Sequence, residues 1–290
     1  MKIKTYFNLN ISEKYGDRKV IKETKLCYIY ISLLILLIME KRPVIFFDLE
    51  TTGNMSNHVR IIELSAKKVD IDTLEIVDSL YYKLNNDGIP IEKEAFEKHQ
   101  ISEDDVKDLP TFTDVAKEVY DFFKDCDLGG YYCTLFDNVV LFQSFLRAGI
   151  HWDFKNLKVY DIFTLYKKYN SGKLSDVYQK YTGKELVDAH QADTDILATL
   201  DIYRSQRKLG EEFDDEELEV YKDHLDMAGN FRVRLNENTG AKEIYLNFGK
   251  HKGKTIDQVD KTYFQWMVNN SEGFPVDTRY FAKKVLLKLD

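Results

Sequence analysis

Three apolar segments follow one another early in the chain, each with the pattern of a β-strand. Val44 to Asp48 is a short apolar run that ends before a turn at Thr52 and Gly53, as expected for a buried central strand. Residues 60–69 and 76–84 then alternate between apolar and polar positions, with short polar connections. Sequential strands joined in this way predict an antiparallel meander.

Helical spacing replaces strand alternation after residue 100. Ser102 with Asp105, and Thr111 with Asp114, have the spacing of a capping box, which marks the start of a helix. Apolar residues at helical intervals follow the second box as far as Phe123. This part of the chain is therefore predicted to be helical.

Two further helices are predicted over residues 137–148 and 192–207, with a strand over 157–160 between them. Three strands followed by alternating helices and strands are typical of an α/β domain. We therefore predict a mixed sheet flanked by helices, in a domain that covers residues 39–209.

The composition changes after this domain. The acidic stretch EEFDDEELEV opens residues 210–240, which we interpret as a solvated helix or a linker. Residues 241–290 combine strand alternation, a Gly-Lys turn and the apolar segment YFQWMV, which indicates a short helix. We predict that residues 241–290 form a small C-terminal α+β module.

The first 38 residues share no pattern with the rest of the chain. Residues 26–39 are largely apolar and follow several lysines, as in a signal anchor, although a span of the bilayer needs about 20 apolar residues. Two other interpretations fit: an extra packed element, or upstream sequence translated from an early start, with Met39 as the initiator. We expect no stable association with a membrane.

Composition and charge narrow the function. The 290 residues contain 41 Lys and Arg against 49 Asp and Glu, a formal net charge of −8, which argues against a broadly basic protein that coats nucleic acid. An enzyme that acts on nucleic acid stays compatible, because metal ions bring phosphate into acidic sites. Cys27, Cys126 and Cys133 form no CxxC pair, so we expect a reducing, cytoplasmic compartment and no structural zinc.

Asp48 and Glu50 are two positions apart near the end of the predicted central strand. Side chains at this spacing leave the same face of a sheet, so the two carboxylates are expected to lie close together. Such a pair suits a hard divalent cation, Mg²⁺ or Mn²⁺. Asp-x-Glu is also common in solvated loops. Glu63 on the next strand has two interpretations, a residue that supports the site or an outward-facing charge, and we favour the outward-facing charge.

His190, Asp195 and Asp137 are the other candidates for chemistry. His190 precedes Asp195 by five positions at a predicted helix start, so it is expected on the loop or first turn, over a site that Asp195 lines. A histidine there can act as a general base, and a capping or core histidine is the alternative. Asp137 begins a predicted helix, where the helix dipole alone also favours aspartate.

Taken in order, these segments resemble a known enzyme class. FDLETTG, then Phe-Asp before an amphipathic helix, then His-x-Ala-x-x-Asp at a helix start are similar to the DEDDh 3′-to-5′ exonucleases, which include the proofreading subunit of bacterial replicative DNA polymerase. The resemblance covers residues 44–209 and implies a ribonuclease H-like fold with two catalytic ions, Mg²⁺ or Mn²⁺. It also implies four metal ligands and one base: Asp48, Glu50, Asp137 and Asp195, with His190.

The resemblance further implies the reaction and its partners. We expect hydrolysis of phosphodiester bonds at the 3′ end of DNA, with release of nucleoside 5′-monophosphates, in replication proofreading or repair. Nucleic acid and a DNA polymerase subunit are the expected partners. Two alternatives stay open: an exoribonuclease that acts on short RNA, and a non-catalytic module that binds nucleic acid or a polymerase.

Thr51 and Thr52 follow the first motif and, by the resemblance, contact the terminal nucleotide. The alternative is a turn in which Gly53 supplies an unusual backbone angle. The chain departs from the family at two places near substrate in relatives. It has Tyr-Cys-Thr at 132–134 instead of a small or amide residue, and His-Gln-Ile at 99–101 instead of His-Gly-Ile.

Lysines cluster in the predicted C-terminal module, in the segment NFGKHKGK. Lys250, Lys252 and Lys254 form a basic tip on an otherwise acidic chain, which we interpret as a hairpin that contacts phosphate. A solvated turn with lysines for solubility is the alternative. The segment, with the aromatic helix after it, resembles a small module appended to some bacterial exonucleases of this class.

Overall fold

The described part of the chain begins just before the first predicted strand. The computed structural model describes residues 42–54, 58–167, 172–270 and 273–288. The three interpretations of residues 1–38, and Cys27, lie outside the described residues. Across the described ranges, every helix is too short or too polar to cross a membrane.

A five-stranded mixed sheet forms the centre of the fold. Its strands are β1 (Val44–Thr51), β2 (Ile61–Val69), β3 (Ile76–Lys83), β4 (Asp127–Gly130) and β5 (Val159–Asp161). Their order in the sheet is β3-β2-β1-β4-β5, in which β1, β2 and β3 are antiparallel while β4 and β5 run parallel to β1. The predicted meander and the predicted mixed sheet are both confirmed.

Apolar residues on both faces of β1 explain its central position. Ile45, Phe47 and Leu49 pack into one hydrophobic cluster, and Val44 and Phe46 pack into a second. A strand covered on both faces is an almost continuous apolar run, which is the pattern seen in the sequence. β1 is therefore held from both sides.

Helices cover both faces of the sheet. In chain order they are α1 (Lys93–His99), α2 (Glu103–Val106), α3 (Phe112–Phe123), α4 (Asp137–Arg147), α5 (Ile162–Lys167), α6 (Leu174–Thr182) and α7 (Ala192–Lys208). Both predicted capping boxes are confirmed, at the starts of α2 and α3. α3 and α4 pack with the first cluster, whereas α5, α6 and α7 pack with the second.

Strand β4 shows no strand pattern in the sequence, and its glycines supply the reason. Gly129 pairs with Phe46 of β1, and a Cβ atom on Gly129 would lie 2.8 Å from the Phe46 ring. Real Cβ atoms do not approach so closely, so a larger residue would force the aromatic ring to move. The position is selected for absence of a side chain, which hydrophobic periodicity does not detect.

The C-terminal elements are α8 (Asp215–Leu218), β6 (Phe231–Leu235), β7 (Lys242–Leu246), α9 (Lys261–Asn269) and α10 (Val276–Leu287). β6 and β7 form an antiparallel hairpin in which Phe231 pairs with Leu246. Both residues share a small hydrophobic cluster with Phe264 and Met267 of α9. The boundary predicted at residue 241 is therefore wrong, because it divides this hairpin.

Residues 210–240 are not a solvated linker either. Tyr221 is fully buried in the same cluster as Ile45 and Phe47 of the central strand. The Asn138 amide donates to the Tyr221 hydroxyl at 2.8 Å. This segment therefore contributes to the core of the sheet domain, and it also contains the short acidic helix α8.

Helix α4 connects the sheet domain to the C-terminal elements through buried polar groups. The fully buried Gln143 side chain donates to Asp277 Oδ1 at 2.6 Å and accepts from the Val276 N–H at 2.9 Å. The other oxygen of Asp277 accepts from the Met227 N–H at 2.6 Å. These directional bonds fix the start of α10 against the helix that begins with Asp137.

A second buried acid, Asp226, lies beside this connection. It accepts from the Phe231 N–H at 2.8 Å and from the Thr278 hydroxyl. Burial raises the pKa of Asp226 to about 7, and the neighbouring charge of Asp277 acts in the same direction. The folded protein therefore favours the neutral form of Asp226 more than the unfolded chain does.

We expect Asp226→Asn to make stability less dependent on pH. The folded-state pKa of Asp226 is raised, so its contribution to stability is full below pH of about 4 and is lost as the pH rises through about 7. Asparagine cannot ionise and keeps an acceptor for the Phe231 N–H. Urea unfolding should show that the free energy of unfolding falls more between pH 5 and pH 8 in the wild type than in the variant. The expected difference is about 1.4 kcal/mol for each unit by which folding raises the pKa. The exposed Asp108→Asn is the control, and equal losses in wild type and Asp226→Asn would contradict the prediction.

Candidate active site

A cleft of about 480 Å³ lies beside the carboxyl-terminal half of β1. Five of the residues singled out in the sequence line it, from three separate segments of the chain: Asp48, Glu50, Asp137, His190 and Asp195. The cleft is also lined by Thr51, Glu92, Lys98, His99 and Tyr132. The fold therefore brings the separate motifs to one place.

Asp48 and Glu50 reach the cleft because β1 is pleated. Leu49, between them, points into the hydrophobic core and is almost fully buried. Asp48 pairs with Ser65 and Glu50 pairs with Glu63 across the antiparallel β1–β2 ladder, and the register shifts after Glu50. The apolar residues that alternate with the two acids thus fix the direction of both carboxylates.

Asp137 enters the same cleft as the first residue of α4. Burial raises the pKa of Asp137 to about 7, with a further upward contribution from Asp161, while N–H donors such as that of Leu49 oppose it. Its carboxylate is therefore held by backbone donors but has lost most of its contact with water.

Burial, together with the charges of neighbouring acids, raises the pKa of two further cleft acids, Asp48 and Glu50. Burial raises the pKa of Asp48 well above its ordinary value, and the charges of Asp137, Glu50 and Asp195 add to this effect. Burial and the charge of Asp195 raise the pKa of Glu50 to about 8, against a smaller opposing contribution from Lys98. The cleft therefore opposes ionisation of its own acids, and the nearby charge of Lys98 offsets this only in part.

The donor set of this cleft fits divalent cations by charge and ligand type. Carboxylate oxygens are the ligands preferred by hard divalent ions. Asp195 Oδ1 is buried and has no hydrogen-bond partner, so it is available as a ligand. Over the ranges that the structure describes, no three His, Cys, Asp or Glu side chains already form a coordination set for one ion. The fit is thus one of charge and chemistry.

His190 lies immediately before the N-cap of α7, in a left-handed backbone conformation with a φ of 70°. Its N–H donates to Asp195 Oδ2 at 3.2 Å. The residue is exposed, and so it is neither a core histidine nor the helix cap. Asp193, in contrast, accepts from Ser65 and pairs with Lys67 on β2, which leaves Asp195 as the α7 acid in the cleft.

Glu63 was predicted to be an outward-facing charge, and this is wrong. Its side chain is only 6% exposed. The Tyr81 hydroxyl donates to one carboxylate oxygen at 2.6 Å, and the Ala192 N–H donates to the other at 3.3 Å. Glu63 therefore binds the first turn of α7 to the sheet, a contact that spans distant parts of the sequence.

Asp161, at the end of β5, was not singled out in the sequence. It accepts from the N–H groups of Tyr132 and Thr134 at 3.0 and 3.1 Å, and from the Thr134 hydroxyl at 2.8 Å. Tyr132 has a φ of 60° and lines the cleft. Asp161 thus holds the loop before α4, where the chain departs from the family pattern. At the other departure, Gln100 adopts a φ of 57°, a conformation that glycine adopts more easily.

The two threonines after the first motif are placed differently. Thr51 lines the cleft, and its hydroxyl donates to the Gly53 carbonyl at 2.6 Å. Thr52 is 1% exposed and accepts from the Arg60 N–H at 3.0 Å, so it is a turn residue and does not line the cleft. Gly53 does not adopt the expected positive φ; instead, a Cβ atom there would lie 2.4 Å from the Glu92 carboxyl carbon.

The three lysines proposed as substrate contacts also lie outside the cleft. Lys250, Lys252 and Lys254 are exposed on the loop that follows β7. Any contact they make with substrate belongs to the C-terminal elements and not to the carboxylate cluster.

Comparison with solved structures supports the fold. The zinc-bound form of the E. coli exonuclease I complex with single-stranded DNA is 18% identical, with a TM-score of 0.52 over 58% of this chain and 41% of that chain. E. coli exonuclease I in complex with a dT13 oligonucleotide is 15% identical, with a TM-score of 0.53 over 79% of this chain and 60% of that chain. This chain thus spans about half the length of those proteins, and the likeness shows a shared ribonuclease H-like fold. A search of curated proteins gave no match.

A family model gives the more specific result. The RNase_T model, described as exonuclease, matches residues 45–203, which is more than half of the chain. The matched segment includes nearly all of β1, the first residue of α4 and the start of α7, and so it contains Asp48, Glu50, Asp137 and Asp195. The chain is a member of the RNase_T family of exonucleases.

Proposed function

We propose that this chain is a metal-dependent 3′-to-5′ exonuclease that removes nucleoside 5′-monophosphates from the 3′ end of DNA. One observation carries the proposal: acids from three separate segments meet in one cleft, where burial and neighbouring charges raise the pKa of Asp48 and Glu50, as in a site built for cations. Membership of an exonuclease family gives the reaction class. The polarity and the substrate are our inference.

Asp48, Glu50, Asp137 and Asp195 are proposed to hold two Mg²⁺ or Mn²⁺ ions. When bound, such ions lower the pKa of water and neutralise charge on the scissile phosphate. The chain's own contribution is a rigid set of carboxylates, because β1, α4 and α7 are packed elements and only the side chains face the cleft. Burial weakens competition from bulk water for these ligands.

His190 is proposed as the general base. Its imidazole is exposed at the cleft, while its backbone N–H is bonded to Asp195 Oδ2, so the ring is free to accept a proton from the attacking water. The left-handed backbone of His190 directs the chain across the start of α7. Lys98 and His99 border the same cleft and are positioned to contact the terminal nucleotide, as is Thr51.

DNA is the proposed substrate because the solved relatives include complexes with single-stranded DNA. Proofreading or repair in the cytoplasm, with a DNA polymerase subunit as partner, is the proposed setting. Loss of catalysis on a decayed fold is the less favoured alternative, because every acid of the motif set is retained in the cleft. An exoribonuclease that acts on short RNA is the other alternative.

We expect Asp195→Asn to lower the rate of hydrolysis by at least about 10²-fold, because it removes a charged ligand of the cations. Asp193→Asn is the matched control, two positions away on the same helix but outside the cleft. The assay follows a 5′-labelled single-stranded oligonucleotide in Mg²⁺ or Mn²⁺, with product identity determined by chromatography. Matched DNA and RNA are compared. Parent activity in Asp195→Asn, or shortening from the 5′ end, would overturn the proposal, and a preference for RNA would reassign the substrate.

We expect His190→Asn to separate proton transfer from cation binding. The loss of a general base lowers kcat by about 10²–10⁴-fold. Mn²⁺ affinity, measured by calorimetry, should stay near that of the wild type because no carboxylate is removed. The exposed His151→Asn is the control. A large loss of Mn²⁺ affinity in His190→Asn would identify His190 as a ligand, and unchanged kcat would remove it from the mechanism.

Neutralising one cleft acid should stabilise the metal-free protein. The pKa of Asp48 is higher in the folded state than in the unfolded chain. Ionising Asp48 at pH 8 therefore costs more in the folded protein and lowers its stability. In EDTA, Asp48→Asn should melt above the wild type, on the order of 2–4 °C for each kcal/mol of repulsion removed. Added Mg²⁺ or Mn²⁺ should raise the melting temperature of the wild type more than that of the variant. A variant that melts below wild type in EDTA and responds equally to cations would contradict the assignment.

A further inference from the structure

A half-buried tyrosine and an exposed tryptophan lie next to the lysines of the C-terminal elements. Tyr263 and Trp266 are three positions apart on α9, which places them on one face of the helix. Their ring centroids are 5.1 Å apart, and the Trp266 ring packs edge-on against Phe274 at 5.2 Å. Trp266 remains 48% exposed, whereas the chain's other tryptophan, Trp152, is 9% exposed. An indole held by neighbours but open on one side is available for a ligand.

The lysine loop is fixed beside these two aromatic residues. Lys250 Nζ lies 5.7 Å from the centroid of the Tyr263 ring, and the His251 ring lies 4.5 Å from it. The loop is tied to β7, because the Gly253 N–H donates to the Leu246 carbonyl at 2.7 Å and the Leu246 N–H donates to the Lys254 carbonyl at 3.0 Å. The lysines therefore project from an ordered turn and not from a free tail.

The charges of this loop are not neutralised locally. Lys250, Lys252 and Lys254 are exposed and form no ion pair with any carboxylate of the described ranges. They stand out on a chain with a net charge of −8. Together with Tyr263 and Trp266, these three lysines are called the aromatic–lysine surface below.

We propose that the aromatic–lysine surface binds single-stranded nucleic acid, with a base stacked on Trp266 and phosphates at the lysines. Lysines supply the phosphate contacts, and aromatic faces supply stacking that tolerates any base. An unpaired base can reach an exposed indole, while the bases of a duplex are already stacked. The occupant is a segment of the strand upstream of the 3′ end, which rests on the exonuclease proposed above.

The binding experiment uses the full chain in EDTA, so that binding is measured without hydrolysis. A labelled oligo(dT) is titrated by fluorescence anisotropy, next to a duplex and an abasic oligonucleotide of the same length. Trp266→Leu is expected to weaken binding of oligo(dT) by about 5- to 100-fold with little change in salt dependence. Tyr280→Leu, which removes a 60% exposed aromatic of the same region, should bind like the wild type. Circular dichroism confirms that each variant is folded.

Substitution of a single lysine tests the phosphate contacts. Lys252→Ala should reduce the slope of log K against log salt by about 0.7, the value for one phosphate contact on a single strand. The exposed Lys283→Ala is the control. In the wild type, quenching of tryptophan fluorescence by oligo(dT) should report Trp266, because Trp152 is buried against Phe142.

The outcomes separate this surface from the catalytic proposal. Equal affinity of wild type and Trp266→Leu for oligo(dT), or the same loss on the abasic strand, would overturn stacking at this surface. If the wild type bound neither oligo(dT) nor the abasic strand tightly, nucleic-acid binding at this surface would also be overturned. The surface would then be a candidate contact for a protein. Failure of hydrolysis with binding intact would instead refute the exonuclease proposal alone.

Discussion

The fold has to hold several buried carboxylates close together against their mutual repulsion. Asp48, Glu50, Asp137 and Asp195 share one cleft, and burial together with neighbouring charge raises the pKa of Asp48 and Glu50. Such groups would move apart toward water if their backbone were free. They stay because β1 is held by apolar side chains on both faces, so the cost of keeping charges together is offset by the two hydrophobic clusters.

Local patterns predicted the parts of the molecule that depend on local physics. The apolar run of β1 and the capping boxes at Ser102 and Thr111 are set by residues within one element, so sequence alone identifies them. The pleat then places Asp48 and Glu50 on one face without reference to the rest of the chain. These elements could be predicted because their causes lie within a few residues.

Contacts between distant segments could not be predicted in the same way. Glu63 is buried because Tyr81 and the backbone of Ala192 surround its carboxylate, and nothing near it in the sequence indicates this. Gly129 forms a strand because its missing side chain admits the Phe46 ring. The predicted boundary at residue 241 divides the β6–β7 hairpin, because the sequence does not show that Phe231 pairs with Leu246 across the intervening turn.

Polar bonds of α4 join the helix that borders the acidic cleft to the C-terminal elements. An acidic cleft repels a phosphate chain, so substrate affinity has to come from cations in the cleft and from basic groups elsewhere. The exposed lysines are the groups proposed to meet the second need, which requires a fixed position relative to the carboxylates. Gln143 and Asp277 provide that rigidity, because they bond the start of α10 to the same helix whose first residue is Asp137. In the proposed enzyme, one helix therefore supports both the acidic cleft and, through α10, the basic surface.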